Sequence, residues 1–308
     1  MSETPDTPAR LDRPMLGIVL MLGFCVAAPL GDAMAKLLYT MPVLALGFWR
    51  FVMQVAFMLP FAIRSGQSLR LRGRVLRLVL VRSILHIFGI LCMYTALRYM
   101  PLAETVAIAF FMPFVLLLFG WLWLGEQVGP RRLIACIVGF VGTMMVIQPT
   151  FAEVGWPAIL PLGVAIGFAM FMLTTRAVAH EVDPFVLQVT GGLIACAMLV
   201  PVLIITTLTG MEGMELRLPQ GGEVVILLLL GLIGSFSHLL MSWALRYVPT
   251  STVAPMQYLE IPAATLIGWL LFAQLPNGLA AAGIVVTVAA GLYVIWREQQ
   301  AARARKPS

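Results

Sequence analysis

The chain has 308 residues, 61% of them hydrophobic and only 11% charged. A soluble domain carries about 25% charged residues, so a mean hydropathy of +0.97 belongs to a chain whose solvent is mostly lipid. The net charge of +6 does not mark a nucleic-acid binder, because most of the Arg residues stand in short connections between apolar segments, where they orient membrane helices.

At the N-terminus, Arg10 and Arg13 precede an apolar run from Met15 to Leu30, and Ala33-Met34-Ala35 has the form of a signal-peptide cleavage site. The run is long for a signal peptide, and Asp32 directly precedes the Ala-x-Ala. Residues 1–14 are therefore read as a cytoplasmic tail and 15–37 as the first spanning helix. Further spans are predicted at 41–63, 76–98, 101–124, 131–148, 155–177, 185–209, 224–247, 250–273 and 279–296, before a basic cytoplasmic tail at 297–308. Each approaches the ~20 apolar residues needed to cross a bilayer. With no water in the bilayer core, such segments must be helices that satisfy their own backbone. The expected class is an all-α polytopic membrane protein of about ten transmembrane helices.

Placing the N-terminus in the cytoplasm puts Arg64, Arg70, Arg72, Arg74, Arg77, Arg131, Arg132, Arg176, Arg246 and Arg297 on the inner side. Only Lys36, Arg98 and Arg217 then lie outside. That asymmetry predicts an inner-membrane protein with both termini cytoplasmic. Cys25, Cys92, Cys136 and Cys196 each lie inside an apolar stretch without metal-like spacing, and are read as packing residues. No metal or cofactor is expected.

An internal repeat runs through the chain. Ala96-Leu97-Arg98-Tyr99-Met100-Pro101 matches Ala244-Leu245-Arg246-Tyr247-Val248-Pro249, and the same offset of 148 residues aligns Gly120-Trp121-Leu122 with Gly268-Trp269-Leu270. Five helices per half is an odd number, so the second half must enter the membrane the opposite way up. Such inverted repeats are a frequent plan of secondary transporters.

These residues resemble the EamA family of the drug/metabolite transporter superfamily. The resemblance rests on a Pro-opened helix after an Ala-Leu-Arg-Tyr corner that closes with Leu124-Gly125-Glu126. The second half repeats it from Gln257-Tyr258-Leu259-Glu260-Ile261-Pro262 to Phe272-Ala273-Gln274. Ala273-Gln274 departs from the usual Gly-Glu, and Ile261 separates Glu260 from Pro262 where an adjacent pair is common. The resemblance implies two EamA-like five-helix repeats, 15–148 and 155–296, around a central cavity. It also implies a carrier of amino acids, riboflavin, S-adenosylmethionine, nucleosides or related metabolites.

A charge at the bilayer centre costs at least ~2.5–3.5 kcal/mol, so polar groups at depth invite a functional reading. Glu260, His86, His238, Gln257, Tyr258, Tyr94 and Arg50 are the candidate cavity residues. The offset maps His86 to position 234, one helical turn from His238, which places the two histidines on related faces of corresponding helices. Met112 maps to Glu260, so that carboxylate has no counterpart in the first half. Pro113, Pro255 and Pro262 are candidate helix breaks, and paired interruptions in corresponding helices point to a transporter's binding site.

Each candidate has a structural rival. Arg50 pairs equally well with an acid or with helix-terminal carbonyls, and Arg82 is read as snorkelling to the inner face. Asp32 and Lys36 have the spacing of a local ion pair. Glu104 is read as a mouth residue or a merely solvated one, and Glu126 as an anchor of its helix end. The histidines suit an interhelical hydrogen bond as well as a cavity wall.

No nucleotide-binding loop or His-Glu-x-x-His motif is present in the sequence. Transport is therefore expected to be secondary, driven by the solute gradient or by protons through Glu260, His86 and His238. A channel or membrane-embedded regulatory partner is the alternative. An intramembrane hydrolase built on Ser235, Ser237 and His238 lacks the Gly-x-Ser-x-Gly elbow. The expected partners are a small-molecule solute and the lipid bilayer, without nucleic acid; a homo-oligomer is compatible with the pattern.

Overall fold

A computed structural model describes residues 14–112, 114–115, 130–247 and 257–304. Among the described residues all regular structure is helical. The α-helices are α1 (Pro14–Leu37), α2 (Val43–Arg64), α3 (Gly73–Tyr99), α4 (Leu102–Ala109), α5 (Pro130–Val154), α6 (Leu160–Val178), α7 (Pro184–Leu208), α8 (Gly222–Tyr247), α9 (Glu260–Phe272) and α10 (Gly278–Ala304). A 3-10 turn, Trp156–Ile159, leads into α6. Among the described residues, six segments are long and apolar enough to cross a membrane: Met15–Leu37, Val43–Arg64, Gly73–Tyr99, Trp156–Val178, Pro184–Leu208 and Gly222–Tyr247. Shorter apolar helices cover Ile137–Ile147, Glu260–Phe272 and Gly278–Ala290. The chain is a multi-pass membrane protein.

The helices are apolar on the outside. Along α8, Val225, Leu228, Leu232 and Phe236 are exposed at helical spacing, whereas Gly234, Ser235 and Ser237 are buried. In water such stripes would form an untenable apolar surface; in lipid they are the solvated face. Hydroxyls inside the helices turn back on their own turns. Thr95 donates to Leu91 O at 2.7 Å, Thr143 to Gly139 O at 3.0 Å and Thr190 to Val186 O at 2.7 Å. This is the way to satisfy a hydroxyl where no water reaches.

Packing follows a definite pairing. α1 lies along α8, α3 along α6, α2 along α7 and α5 along α10. The last pair approaches closely, because a Cβ at Gly283 would stand 2.6 Å from the Gly142 carbonyl oxygen.

The corners fix helix direction. The α2–α3 corner meets the α6–α7 corner, where Arg74 pairs with Glu181 at 2.7 Å and the Asp183 N–H donates to Gln67 Oε1 at 2.8 Å. At the other end, the α7–α8 loop meets the α1–α2 corner. There Arg217 holds both carboxylate oxygens of Glu223 at 2.5 and 2.6 Å and donates to Thr40 O at 3.0 Å. Trp49 Nε1 donates to Arg217 O at 3.0 Å. Consequently α1 and α6 run in opposite directions, as do α2 and α7, and α3 and α8.

The predicted spans 101–124 and 250–273 differ from the structure in continuity. α4 ends at Ala109, the chain turns at Phe110 and Phe111, and helix resumes at Met112. In the second case the chain turns at Tyr258 and Leu259 and α9 starts at Glu260. The reason is plain for the second turn. Pro262 has no N–H to give the Tyr258 carbonyl, which accepts instead from Ile261 N at 3.3 Å, in a tighter turn. The two turns are 148 residues apart. Pro113, Pro255, Glu126 and Trp123 lie outside the described residues.

Candidate functional site

The interior holds a cavity whose empty volume is about 940 Å³, open space at its mouth included. Its wall is built by α1, α2, α3, α4, α6, α8 and the start of α9. Phe24, Phe110, Phe168 and Phe171 supply aromatic surface. Phe24 and Phe168 stack at 6.4 Å with their planes 7° apart, and Phe168 stacks on Phe171 at 5.7 Å and 18°.

Polar groups converge on this apolar chamber. His86 on α3 and His238 on α8 meet with Nε2 atoms 3.3 Å apart and rings at 72°. One Nε2 carries a proton and the other accepts it, so the pair holds one hydrogen bond between two halves of the chain. His86 is further fixed edge-on to Phe51 at 5.1 Å. His238 Nδ1 has no hydrogen-bond partner among the described residues.

Arg50 enters from α2. Its Nη1 donates to Gln54 Oε1 at 2.9 Å, one turn along the same helix. Gln54 Nε2 in turn donates to Gln188 O at 2.8 Å and to Gln188 Oε1 at 3.2 Å on α7. The guanidinium lies against Gly234, where a Cβ would stand 3.3 Å from Nη2. Position 234 is the repeat counterpart of His86, so the space that an imidazole fills in one half admits an arginine in the other. Asp32 and Tyr94 line the cavity near enough for their charge or dipole to act on Arg50.

Gln257 and Glu260 close the chamber beside the turn that precedes α9. Gln257 is 1% exposed, and neither its Nε2 nor its Oε1 has a hydrogen-bond partner among the described residues. Glu260 opens α9, 9% exposed, with its Oε1 likewise unpartnered. A buried primary amide left wholly unsatisfied costs about 1–3 kcal/mol. Such groups, set among aromatic rings, are what a ligand site is made of.

Six of the candidates, Arg50, His86, Tyr94, His238, Gln257 and Glu260, therefore face one cavity. Two do not. Tyr258 does not line it but packs in the apolar core behind the wall, its ring 5.3 Å from that of Phe110. Pro262 is exposed on an outward groove with Trp269 and Val285, since the first turn of α9 presents it to the lipid side.

Three further expectations are corrected. Lys36 does not pair with Asp32. It donates to Leu97 O at 3.0 Å and to Met100 O, drawn to the negative carbonyl end of α3. Arg82 does not snorkel but is completely buried. Glu104 is not a solvated mouth residue; at 5% exposure it is buried, and its charge acts on Lys36. The aromatic wall and the Gln54–Gln188 bridge were not anticipated. For the bridge a signal existed: Arg50 and Gln54 are polar residues four apart on one apolar helix.

The model of the EamA-like transporter family matches residues 15–148 and again 155–297. The chain belongs to this family. Among its relatives, a riboflavin transporter of Rhizobium johnstonii is 28% identical, over 87% of this chain and 85% of that protein. A riboflavin transporter of Vibrio cholerae is 25% identical, over 95% of this chain and 97% of that protein. An S-adenosylmethionine uptake transporter of Rickettsia prowazekii is 23% identical, over 95% of this chain and 96% of that protein. A solved crystal structure of a protein 17% identical shares the fold, with a TM-score of 0.63 over 97% of this chain and 100% of the other. As an EamA-family member, the chain is a transmembrane transporter of a small molecule.

Proposed function

We propose that this transporter is a secondary carrier whose solute is a small organic molecule with a planar ring and a hydrogen-bonding edge, bound in the central cavity. The observation that carries the reading is Gln257, a buried amide with neither end satisfied among the described residues, facing a chamber walled by Phe24, Phe110, Phe168 and Phe171. The amide both donates and accepts, which suits a heterocycle with alternating donors and acceptors. The flavin and adenine rings named for the relatives are such molecules.

The carrier is built of two inverted five-helix repeats, 15–148 and 155–296, about ten spanning helices in all. Support comes from the opposite directions of α1 and α6, α2 and α7, and α3 and α8. It comes also from the exchanged pairs α1–α8 and α3–α6, and from helix interruptions 148 residues apart. The Arg-rich α2–α3 corner, which meets the α6–α7 corner carrying Arg176, supports a cytoplasmic position for that end and for both termini, in the inner membrane. Coupling to protons runs through Glu260, His86 and His238, which line the same cavity.

A thermal-shift screen of purified protein with riboflavin, S-adenosylmethionine, nucleosides and amino acids tests the reading. A ring-bearing compound is expected to raise Tm by mass action, and Gln257→Ala to move that rise to roughly tenfold higher concentration. A rise given only by compounds without a ring, or one indifferent to Gln257→Ala, contradicts it.

A further inference from the structure

Arg82 lies on α3 one turn before His86, and no part of it reaches the surface. Its Nε donates to Thr175 Oγ1 at 2.9 Å, and the guanidinium sits 4.3 Å from the centre of the Phe171 ring. Its Nη1 and Nη2 have no hydrogen-bond partner among the described residues, and none of the described carboxylates pairs with it. On α7, Gln188 is also completely buried; its Oε1 accepts from Gln54, while its Nε2 has no partner among the described residues. One turn further along α7, Gly191 makes room for the guanidinium, for a Cβ there would stand 2.9 Å from Nη1. Two fully buried side chains thus offer unused N–H donors and no unused acceptor. A guanidinium so placed is strongly disfavoured unless an anion completes it. The group that matches its planar fork is a carboxylate or phosphate.

We propose that Arg82 and Gln188 form an anion site between α2, α3, α6 and α7, one helical turn beyond the central cavity, which takes a carboxylate or phosphate group on the solute or as a free ion. The site adjoins the cavity through Phe171, which lines the one and stacks on the other. It is joined to Arg50 by the Gln54–Gln188 bridge. An anion held there fixes Gln188 Nε2 and, through Gln54, the guanidinium that faces the solute.

The test is thermal unfolding of the purified full chain in sodium isethionate at constant ionic strength, titrated with sodium phosphate or sodium acetate. At least one of them is expected to raise Tm saturably by about 3 °C or more. Arg82→Gln should remove the rise, and the control Arg74→Gln should keep it. Should Arg82→Gln fail to fold, Gly191→Ala, which crowds Nη1, should raise the half-saturating concentration about tenfold. No saturable rise from either anion in the unaltered chain overturns the proposal, as does an equal rise in Arg82→Gln. Riboflavin 5′-phosphate separates the sources. If it outdoes riboflavin and added phosphate contributes nothing more, the solute's own anion fills the site. If phosphate adds to the riboflavin shift, a free ion does. Phosphate binding is read without any flavin, so loss of the ring-solute reading leaves this one standing.

Discussion

Gln257 and Glu260 stand three residues apart beside the same turn, yet they should fail differently when changed. Gln257→Ala removes both the donor and the acceptor offered to a solute edge. A lost buried hydrogen bond of about 1–3 kcal/mol corresponds to a rise of roughly fivefold to a hundredfold in the half-saturating solute concentration. Concentration-dependent uptake measures it. Glu260→Gln keeps size and hydrogen bonding but cannot exchange a proton. Its uptake should persist and lose any acceleration by an imposed acid gradient; an acceleration equal to that of the unaltered chain contradicts the proton role. At this scale the sequence was informative wherever a polar group stood deep in an apolar run: Arg50, His86, His238, Gln257 and Glu260 all proved to face one chamber. It was uninformative about direction. Position along a helix gives distance from the membrane face, but not which way a side chain points, so Arg82 was assigned to the surface and lies buried. Lys36 found helix-end carbonyls that are remote in sequence in preference to the acid one turn away.

Two interrupted helices carry the site at the scale of elements. The break before α9 follows from Pro262, which cannot donate to the Tyr258 carbonyl. Pro262→Ala restores that donor and should let the helix grow back through Leu259 and Tyr258, swinging Gln257 away from the cavity. The expected result is an unchanged or higher Tm with transport reduced several-fold; a fall in both would make Pro262 merely structural. Pro262 itself was legible as a break, whereas its outward placement depended on the turn it creates. Close helix packing has its own test. Gly142→Leu on α5 forces a side chain against Thr287 on α10, whose Oγ1 would stand 2.7 Å from a Cβ at that site. Overpacking of this kind costs about 1–3 kcal/mol and should appear as a lowered Tm.

For the molecule as a whole, the proposed inverted plan rests in the sequence on a short repeated corner and one offset. The same offset placed His86 and His238 on related faces, and the structure brings their rings into contact. What the repeat could not convey is how the halves differ. Gly234 stands where the other half has His86, and Arg50 occupies the space. Glu260 stands where the other half has Met112. Under the proposed reading, a near-symmetric scaffold with one-sided polar groups would hold an asymmetric solute in one orientation. Orientation in the membrane follows from single cysteines placed in a chain with its four native cysteines changed to Ala. Glu212→Cys should react with an impermeant maleimide added outside intact cells, and Ser68→Cys only after lysis; the reverse pattern would invert the topology. The central claim, a carrier that binds its solute in the cavity, is tested most directly by uptake of labelled riboflavin and S-adenosylmethionine into proteoliposomes of the purified chain, with and without Gln257→Ala. The account predicts saturable uptake of at least one of them, competed by the unlabelled compound and weakened roughly tenfold by the substitution. Uptake that rises linearly with concentration, or that is equal in the two proteins, would contradict it.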